Sequence, residues 1–338
     1  MSGVRRLRLV VMGTGPFAVP MFRALAASAH EIVAVVTRPD HAPAGRRPAP
    51  NPMRAAAVAA GIAVLDPERA NAKESVAVIR GLAADLFVVC DYGQILSAEL
   101  LGAAPLGGLN LHGSLLPRHR GAAPVQWALL EGDVVTGVSV IGMTPALDAG
   151  RVITARSTPI GPRETAAELE SRLAEIGANA VLDAIERLQA GLAAGHEPAG
   201  VGLPQDEAQA TRAPRLAKAD GLVDWSQPAA AIERRRRALD PWPRVATFLT
   251  RADGERQRLV IAAAELVRGA DFCGAAGAAA EPGTVLVAEA SPDPGRIVVA
   301  CGGGSALAIA RLVPEGKRAM TAGEFLRGSP LRPGARLG

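Results

Sequence analysis

LNLHGSLLPRHRGAAPVQWALLEGDVVTGVSVIGMTPALDAG, residues 109–150, decides how this chain is read. It opens with an apolar run interrupted by Asn110 and His112, turns at Pro117 and Gly121, and continues into a helical segment over 124–130. A second apolar run, 138–143, leads to a lone acid, Asp148, between Leu147 and Ala149. Residues two apart on a strand share a face, so Asn110 and His112 point the same way. The carboxyl end of a parallel strand is where open α/β sheets bind ligands. Singly, each of the three polar residues reads as a strand end or a turn. Together they suit acyl transfer: an amide N–H for a tetrahedral oxyanion, an imidazole for the proton, a carboxylate to orient and charge the imidazole. No serine or cysteine stands as an evident nucleophile, which favours direct transfer to an amine over an acyl-enzyme.

Working outward, the runs 8–12, 31–37 and 85–90 read as buried strands. Between them lie helical stretches at 17–27, 52–60 and 73–82, the second opened by Asn51 and Pro52 as cap and first residue. Strands alternating with helices predict an open, mostly parallel Rossmann-like sheet covered on both faces. Residues 152–160 read as an edge strand, and 164–189 as a long amphipathic helix with Leu169, Leu173, Ile176, Val181, Ile185 and Leu188 on its apolar side. After 193 the periodicity disappears, and 193–222 is read as a linker. Ser226 is expected to cap a helix over 228–239. The short runs 245–249, 258–265, 283–287, 296–300 and 306–312 predict a small antiparallel β-barrel, OB-like in character. The expected division is a catalytic domain over 1–192, the linker, and a second domain over 223–338.

The bulk numbers narrow the class. With 49% hydrophobic residues, 338 residues can fill two cores, although aromatics are only 3%. There is no apolar run long enough for a membrane helix. The N-terminal basic and apolar residues run directly into a glycine turn without a cleavage site, so they read as a first strand rather than a leader. Cys90, Cys273 and Cys301 are few and scattered, which suggests neither a disulfide framework nor a metal site and fits a cytoplasmic protein. The net charge of +4 arises entirely after residue 200, where 19 Lys and Arg face 15 Asp and Glu. That is a mild lean toward an anionic partner.

Gly13-Thr14-Gly15-Pro16-Phe17-Ala18 fits a dinucleotide turn in its Gly/Ala form, with Arg38 or Asp40 placed to read a ribose. An NADP-dependent oxidoreductase is therefore one alternative. Against it, glycine is favoured at any first turn of such a sheet, and Pro16 removes an N–H that a phosphate would use.

The central stretch points elsewhere. Asn110-Leu111-His112-Gly113-Ser114-Leu115-Leu116-Pro117, followed by Arg120-Gly121-Ala122-Ala123-Pro124, resembles folate-dependent formyltransferases. Thr136-Gly137-Val138 and Leu147-Asp148-Ala149-Gly150 continue the resemblance. It extends over nearly the whole chain, through the first glycine turn, Arg38-Pro39-Asp40, Ala44-Gly45-Arg46, Tyr92-Gly93 with Ile95-Leu96, Asp224-Trp225 and Pro241-Trp242-Pro243.

The resemblance implies Asn110, His112 and Asp148 as catalytic residues. It implies a tetrahydrofolate site lined by Ser114, Leu115, Leu116 and Pro117, with Tyr92, Gly93, Ile95 and Leu96 nearby. Its nearest branch acts on methionyl-tRNA, which implies formyl transfer from 10-formyltetrahydrofolate to the amino group of initiator methionyl-tRNA, with Arg38, Arg46, Arg47 and Arg237 as tRNA contacts. It also implies a monomer with no metal. Relatives acting on amino-sugar nucleotides, or hydrolysing formyltetrahydrofolate, share the trio and remain alternatives, as does a catalytically dead tRNA-binding protein. Three departures stand out: Pro48-Ala49-Pro50 where more basic residues are expected, Asp91 where a small residue is usual, and Arg234 to Arg236, of which Arg236 falls on the helix's apolar stripe.

Overall fold

The computed structural model describes residues 5–40, 51–251, 254–267, 280–292 and 295–338. The chain divides into two compact units. The larger takes in the described residues of 1–128, 133–161 and 168–215, and the smaller comprises 129–132, 162–167 and the described residues from 216 on.

The larger unit is built on a seven-stranded sheet. Its strands are β1 (Arg8–Met12), β2 (Glu31–Val36), β3 (Val64–Leu65), β4 (Leu86–Val89), β5 (Gly108–His112), β7 (Val135–Gly142) and β8 (Val152–Pro159), in the order β3-β2-β1-β4-β5-β7-β8. The first five are parallel, whereas β7 runs antiparallel to β5 and to β8, which forms the edge. Leu9, Val10, Val11 and Met12 are all fully buried, as a strand covered on both faces requires. Alternate residues Val10, Met12, Phe87 and Val89 join Val76, Ile79 and Leu100 in one apolar cluster.

The helices are α1 (Val19–Ala26), α2 (Pro52–Ala59), α3 (Lys73–Gly81), α4 (Ala98–Leu101), α5 (Pro124–Glu131) and α6 (Ala166–Ala193). The Asn51 side chain accepts from Arg54 N at 3.0 Å, with Pro52 following, so the cap read from sequence is the cap observed. Strand order reverses at β1, and in an open α/β sheet such a reversal is where a crevice opens at the carboxyl ends of the strands.

Residues 201–215 were expected in a linker. They instead belong to the larger unit: Val152 and Leu203 exchange main-chain hydrogen bonds, and β9 (Arg212–Ala213) pairs with β6 (Arg120–Gly121). A segment held by main-chain pairing to a two-residue strand has no periodicity for sequence to display.

The smaller unit is a curled antiparallel sheet in the manner of a half-barrel. It contains β10 (Ala246–Thr250), β11 (Arg256–Leu266), β12 (Val285–Glu289), β13 (Arg296–Cys301) and β14 (Ser305–Pro314), ordered β10-β11-β14-β13-β12, with β15 (Met320–Thr321) beside β14. Two helices accompany it, α7 (Ala229–Ala238) and α8 (Ala322–Gly328). Ser226 does not cap α7. Its hydroxyl is taken by Asp224, at 2.5 Å, and Pro228 occupies the cap position. The terminal helix α8, absent from the sequence reading, starts with a capping box in which Thr321 and Glu324 satisfy each other's main-chain N–H groups.

Candidate active site

The sheet brings the three predicted polar residues together. Asn110 and His112 leave the end of β5 on one face, and Asp148 comes from the loop after β7. Asn110 Nδ2 donates to Asp148 Oδ1 at 3.4 Å, and His112 Nδ1 lies 3.7 Å from Asp148 Oδ2. Gly121 N donates to Asp148 Oδ2 at 2.9 Å, which fixes the carboxylate. Asp148 sits at φ 50°, a left-handed conformation that aspartate tolerates better than most side chains.

The imidazole is fixed from behind. His112 Nε2 lies 2.9 Å from the carbonyl oxygen of His119. A carbonyl only accepts, so Nε2 carries the proton and, in the neutral ring, Nδ1 keeps the lone pair facing Asp148. His119 is itself buried at φ 61°, with Nε2 2.7 Å from Asp133, and Asp133 accepts from Arg118 at 2.7 Å. Burial lowers the His112 pKa below its usual 6.5, partly offset by the Asp148 carboxylate and the His119 carbonyl. His112 is thus a neutral base held against an anion.

Sequence gave no hint of what holds the Asp148 loop. Gln205 Nε2 donates to the carbonyls of Asp148, at 2.8 Å, and Gly150, at 2.7 Å. Its oxygen accepts from Arg120 at 2.7 Å, and Arg120 also pairs with Glu207. Gly121, at φ 136°, is required because a Cβ there would strike the Ala213 carbonyl across the β6–β9 pair.

The trio opens on a cavity of about 550 Å³. Tyr92, Gly93, Gln94, Ile95 and Leu96 line it, as do residues 143–147. Ile95 is 65% exposed and Leu147 58%, so two apolar side chains are held in water at its mouth. Such placement suits a flat, partly apolar ligand. The Tyr92 phenol is buried, its oxygen has no partner among the described residues, and burial raises its pKa to about 12.

Ser114, Leu115, Leu116 and Pro117 are not among the lining residues. They serve the loop instead: Ser114 Oγ donates to Arg118 O, and Ser139 Oγ accepts from Leu116 N while donating to Ser114 O. Ser139 pairs across the sheet with His112, so these bonds secure the turn that leaves the imidazole.

Another part of the wall, unforeseen from sequence, holds Gln126, Glu170 and Arg215, with Gln126 donating to Glu170 at 2.7 Å. Asp91 faces it. By surface area Asp91 is exposed, because it borders an open cavity, yet protein surrounds most of its carboxyl. That enclosure raises its pKa to about 6, helped by the Glu170 charge and opposed by the hydrogen bond from Gly15 N. The Asp91 carboxylate occupies the space beside Gly15 that a dinucleotide phosphate would take. The glycine turn is filled by the protein's own anion, which removes the physical basis of the nicotinamide reading.

Of the residues expected to meet tRNA, Arg46 and Arg47 lie outside the described residues, and Arg38 is exposed. Arg237 is only 7% exposed; it donates to Glu233 at 2.9 Å and to the Glu164 carbonyl at 3.0 Å, so it ties structure together rather than presenting a charge. Among the described residues no cluster of His, Cys, Asp or Glu could hold a metal ion, and no helix is long and apolar enough to cross a membrane.

The chain matches two family descriptions, "Formyl transferase" over residues 6–185 and "Formyl transferase, C-terminal domain" over residues 215–330. It is 44% identical over 337 residues to a methionyl-tRNA formyltransferase of Rhodopirellula baltica, covering 98% of this chain and 96% of the relative. It is 39% identical over 334 residues to that of Solibacter usitatus, covering 98% and 99%. Among solved structures it resembles HypX from Aquifex aeolicus in complex with tetrahydrofolic acid, at 17% identity and a TM-score of 0.59, over 98% of this chain and 50% of the other, a likeness of fold.

Proposed function

This chain belongs to the formyl transferase family, and from that premise we propose how its site works. It transfers the formyl group of 10-formyltetrahydrofolate to the amino group of methionine on initiator tRNA, for translation initiation. The observation that carries the mechanism is Asp148, joined to Asn110 on one oxygen and facing His112 with the other.

The donor lies along the wall of Tyr92, Gly93, Ile95 and Leu96 and against residues 143–147, its ring packed on the Ile95 and Leu147 side chains. The neutral amine of methionine attacks the formyl carbon, and the carbonyl electrons move onto oxygen. The Asn110 amide, held by a long 3.4 Å bond to Asp148, donates to that oxyanion. His112 Nδ1 takes the proton from the attacking nitrogen, and Asp148 stabilises the imidazolium that forms. Collapse restores the carbonyl, and N10 of tetrahydrofolate leaves with the proton returned by His112. Each step uses a group placed before the substrate arrives, so little reorganisation accompanies the charge movement.

Offering charged initiator tRNA and an amino-sugar nucleotide side by side, with labelled formyl donor, tests the acceptor. Label entering the tRNA alone is the expected result. Label on the sugar would transfer the reading to the sugar-nucleotide branch, and formate released without either acceptor would make the chain a hydrolase.

A further inference from the structure

Four consecutive arginines, 234–237, occupy the last turns of α7. At 100° per residue they encircle the helix, so not all can face water. Arg237 is spent on Glu233 and the Glu164 carbonyl, and Arg235 Nε donates to the Asp220 carbonyl at 2.7 Å. Arg234 and Arg236 each bury an Nε without a partner among the described residues, but Arg234 lies against Gly132, whereas Arg236 borders a cavity. The Arg236 side chain is 13% exposed; it shares Glu233 with Arg237, reaches the Ala262 carbonyl only at 3.4 Å, and its Nε is buried with no partner among the described residues. A buried guanidinium that shares one carboxylate is costly to leave in that state.

Arg236 borders a small cavity of about 120 Å³, together with Asp240, Arg244, Val245, Ile261 and Ala262. Arg244 stands at φ 65°, in the left-handed region, and no ion pair joins it to any described residue. Asp240 likewise pairs with neither arginine. Two arginines and one aspartate therefore line one small space, and Glu233 is already shared. The space accommodates a tetrahedral oxyanion but not a nucleoside or a pterin. The fork geometry of guanidinium suits the oxygens of phosphate.

We propose that this cavity of the smaller unit is a phosphate subsite, formed by Arg236 and Arg244, that holds a backbone phosphodiester of the tRNA. The assignment rests on the tRNA reading given above. It also accounts for two buried guanidinium groups on one carboxylate: a further anion comes with the substrate.

The test uses the full-length enzyme, Arg236→Met, which keeps the apolar stem, and Arg244→Gln, at a half-buried position. KM for charged initiator tRNA is measured between 50 and 200 mM salt. Loss of one phosphate contact flattens the slope of log KM against log salt by roughly one unit, so about a 3.5-fold part of the parent's rise disappears. In parallel, melting is followed in inorganic phosphate and in chloride at equal ionic strength. The expected result is a flattened slope in both variants and a phosphate-specific rise in melting temperature in the parent alone. A phosphate-specific rise lost in the variants, with the tRNA slope unchanged, would keep the oxyanion site but assign it to free phosphate. Variants that fold, keep the parent's slope and keep its response to phosphate would overturn the site. A flat salt line in the parent would instead count against the tRNA reading, and the melting arm would then judge the cavity alone.

Discussion

The Nε2 of His112 donates to the main-chain carbonyl of His119 at 2.9 Å. That bond chooses the tautomer, and it makes the position of the His112 ring depend on a buried residue seven places on. His119 is in turn held by Asp133, and Asp133 by Arg118. His119→Ala removes the anchor and leaves an unfavourable left-handed alanine, so the carbonyl shifts. Displacing a reacting group by about 1 Å can cost up to about 100-fold. The expected outcome is a lower kcat with KM for the formyl donor little changed. His119→Asn, which tolerates the backbone conformation, should recover part of the loss. Equal loss of kcat in both would show that the left-handed backbone at 119 does not set the position of the His112 ring.

The trio should act as a unit. Asn110→Ala removes the oxyanion donor and should lower kcat by about 10²–10³-fold. Asn110→Ala combined with His112→Ala should fall well short of the product of the separate losses. Full additivity would mean the two residues act in independent steps.

Activity should depend on pH through His112. If His112 is the neutral base proposed above, burial holds its pKa below 6.5, so its protonation should limit the rate only at pH below that value. Stability follows the same group with the opposite cause. The unfolded imidazole gains its proton near 6.5 and the folded one lower, so folding is favoured above pH 6.5 and weakens as pH falls through that window. His112→Gln should remove that part of the acid sensitivity, read as melting temperature between pH 7 and 5. A melting curve unchanged in its acid dependence would refute the assignment.

Asp91 gives the reverse sign. Its folded pKa is about 6, against 3.8 ordinarily, so the folded state holds its proton more tightly. The resulting penalty is absent at pH below 3.8, grows through pH 4–6 and is complete above 6. Asp91→Asn keeps an acceptor for Gly15 N and removes the charge facing Glu170. It should therefore raise the melting temperature at pH 8 and leave it nearly unchanged at pH 4. A uniform shift at both values would indicate a packing effect.

The apolar rim supplies a separate test. Ile95→Asp and Leu147→Asp should raise KM for the formyl donor without altering the salt dependence of tRNA binding. Leu116→Asp should act mainly on stability, since Leu116 belongs to the loop that Ser139 secures and not to the cavity wall. A donor-KM defect in Leu116→Asp with stability intact would place the folate site on the other side of His112.

Much of the fold is legible because local pattern and position coincide. Four fully buried residues in β1, alternation on β5, and the apolar face of α6 all appear as periodicity in the sequence. Asn110 and His112 are legible because a two-residue spacing on a strand has one geometric meaning. Gln205, Arg215 and Glu170 are not. Gln205 reaches Asp148 across 57 positions of sequence, from a stretch without repeating pattern, and only the folded loop gives its amide a purpose. The cavity wall shows the same limit: adjacency to His112 suggested residues 114–117, but the turn there faces Ser139, and the loop at 143–147 takes the wall instead. The cap of α8 was written locally as Thr321 and Glu324, a pattern that the short strands around it obscured.

The most direct measurement is single-turnover transfer of labelled formyl from 10-formyltetrahydrofolate to charged initiator tRNA, comparing the parent with Asp148→Asn and measuring donor binding alongside. The variant keeps the shape and hydrogen-bonding capacity of the loop but removes the charge that stabilises protonated His112. The account predicts donor binding close to the parent and transfer slowed by at least about 10²-fold, comparable to the loss of one oxyanion donor. Transfer at near-parental rate in Asp148→Asn would contradict it.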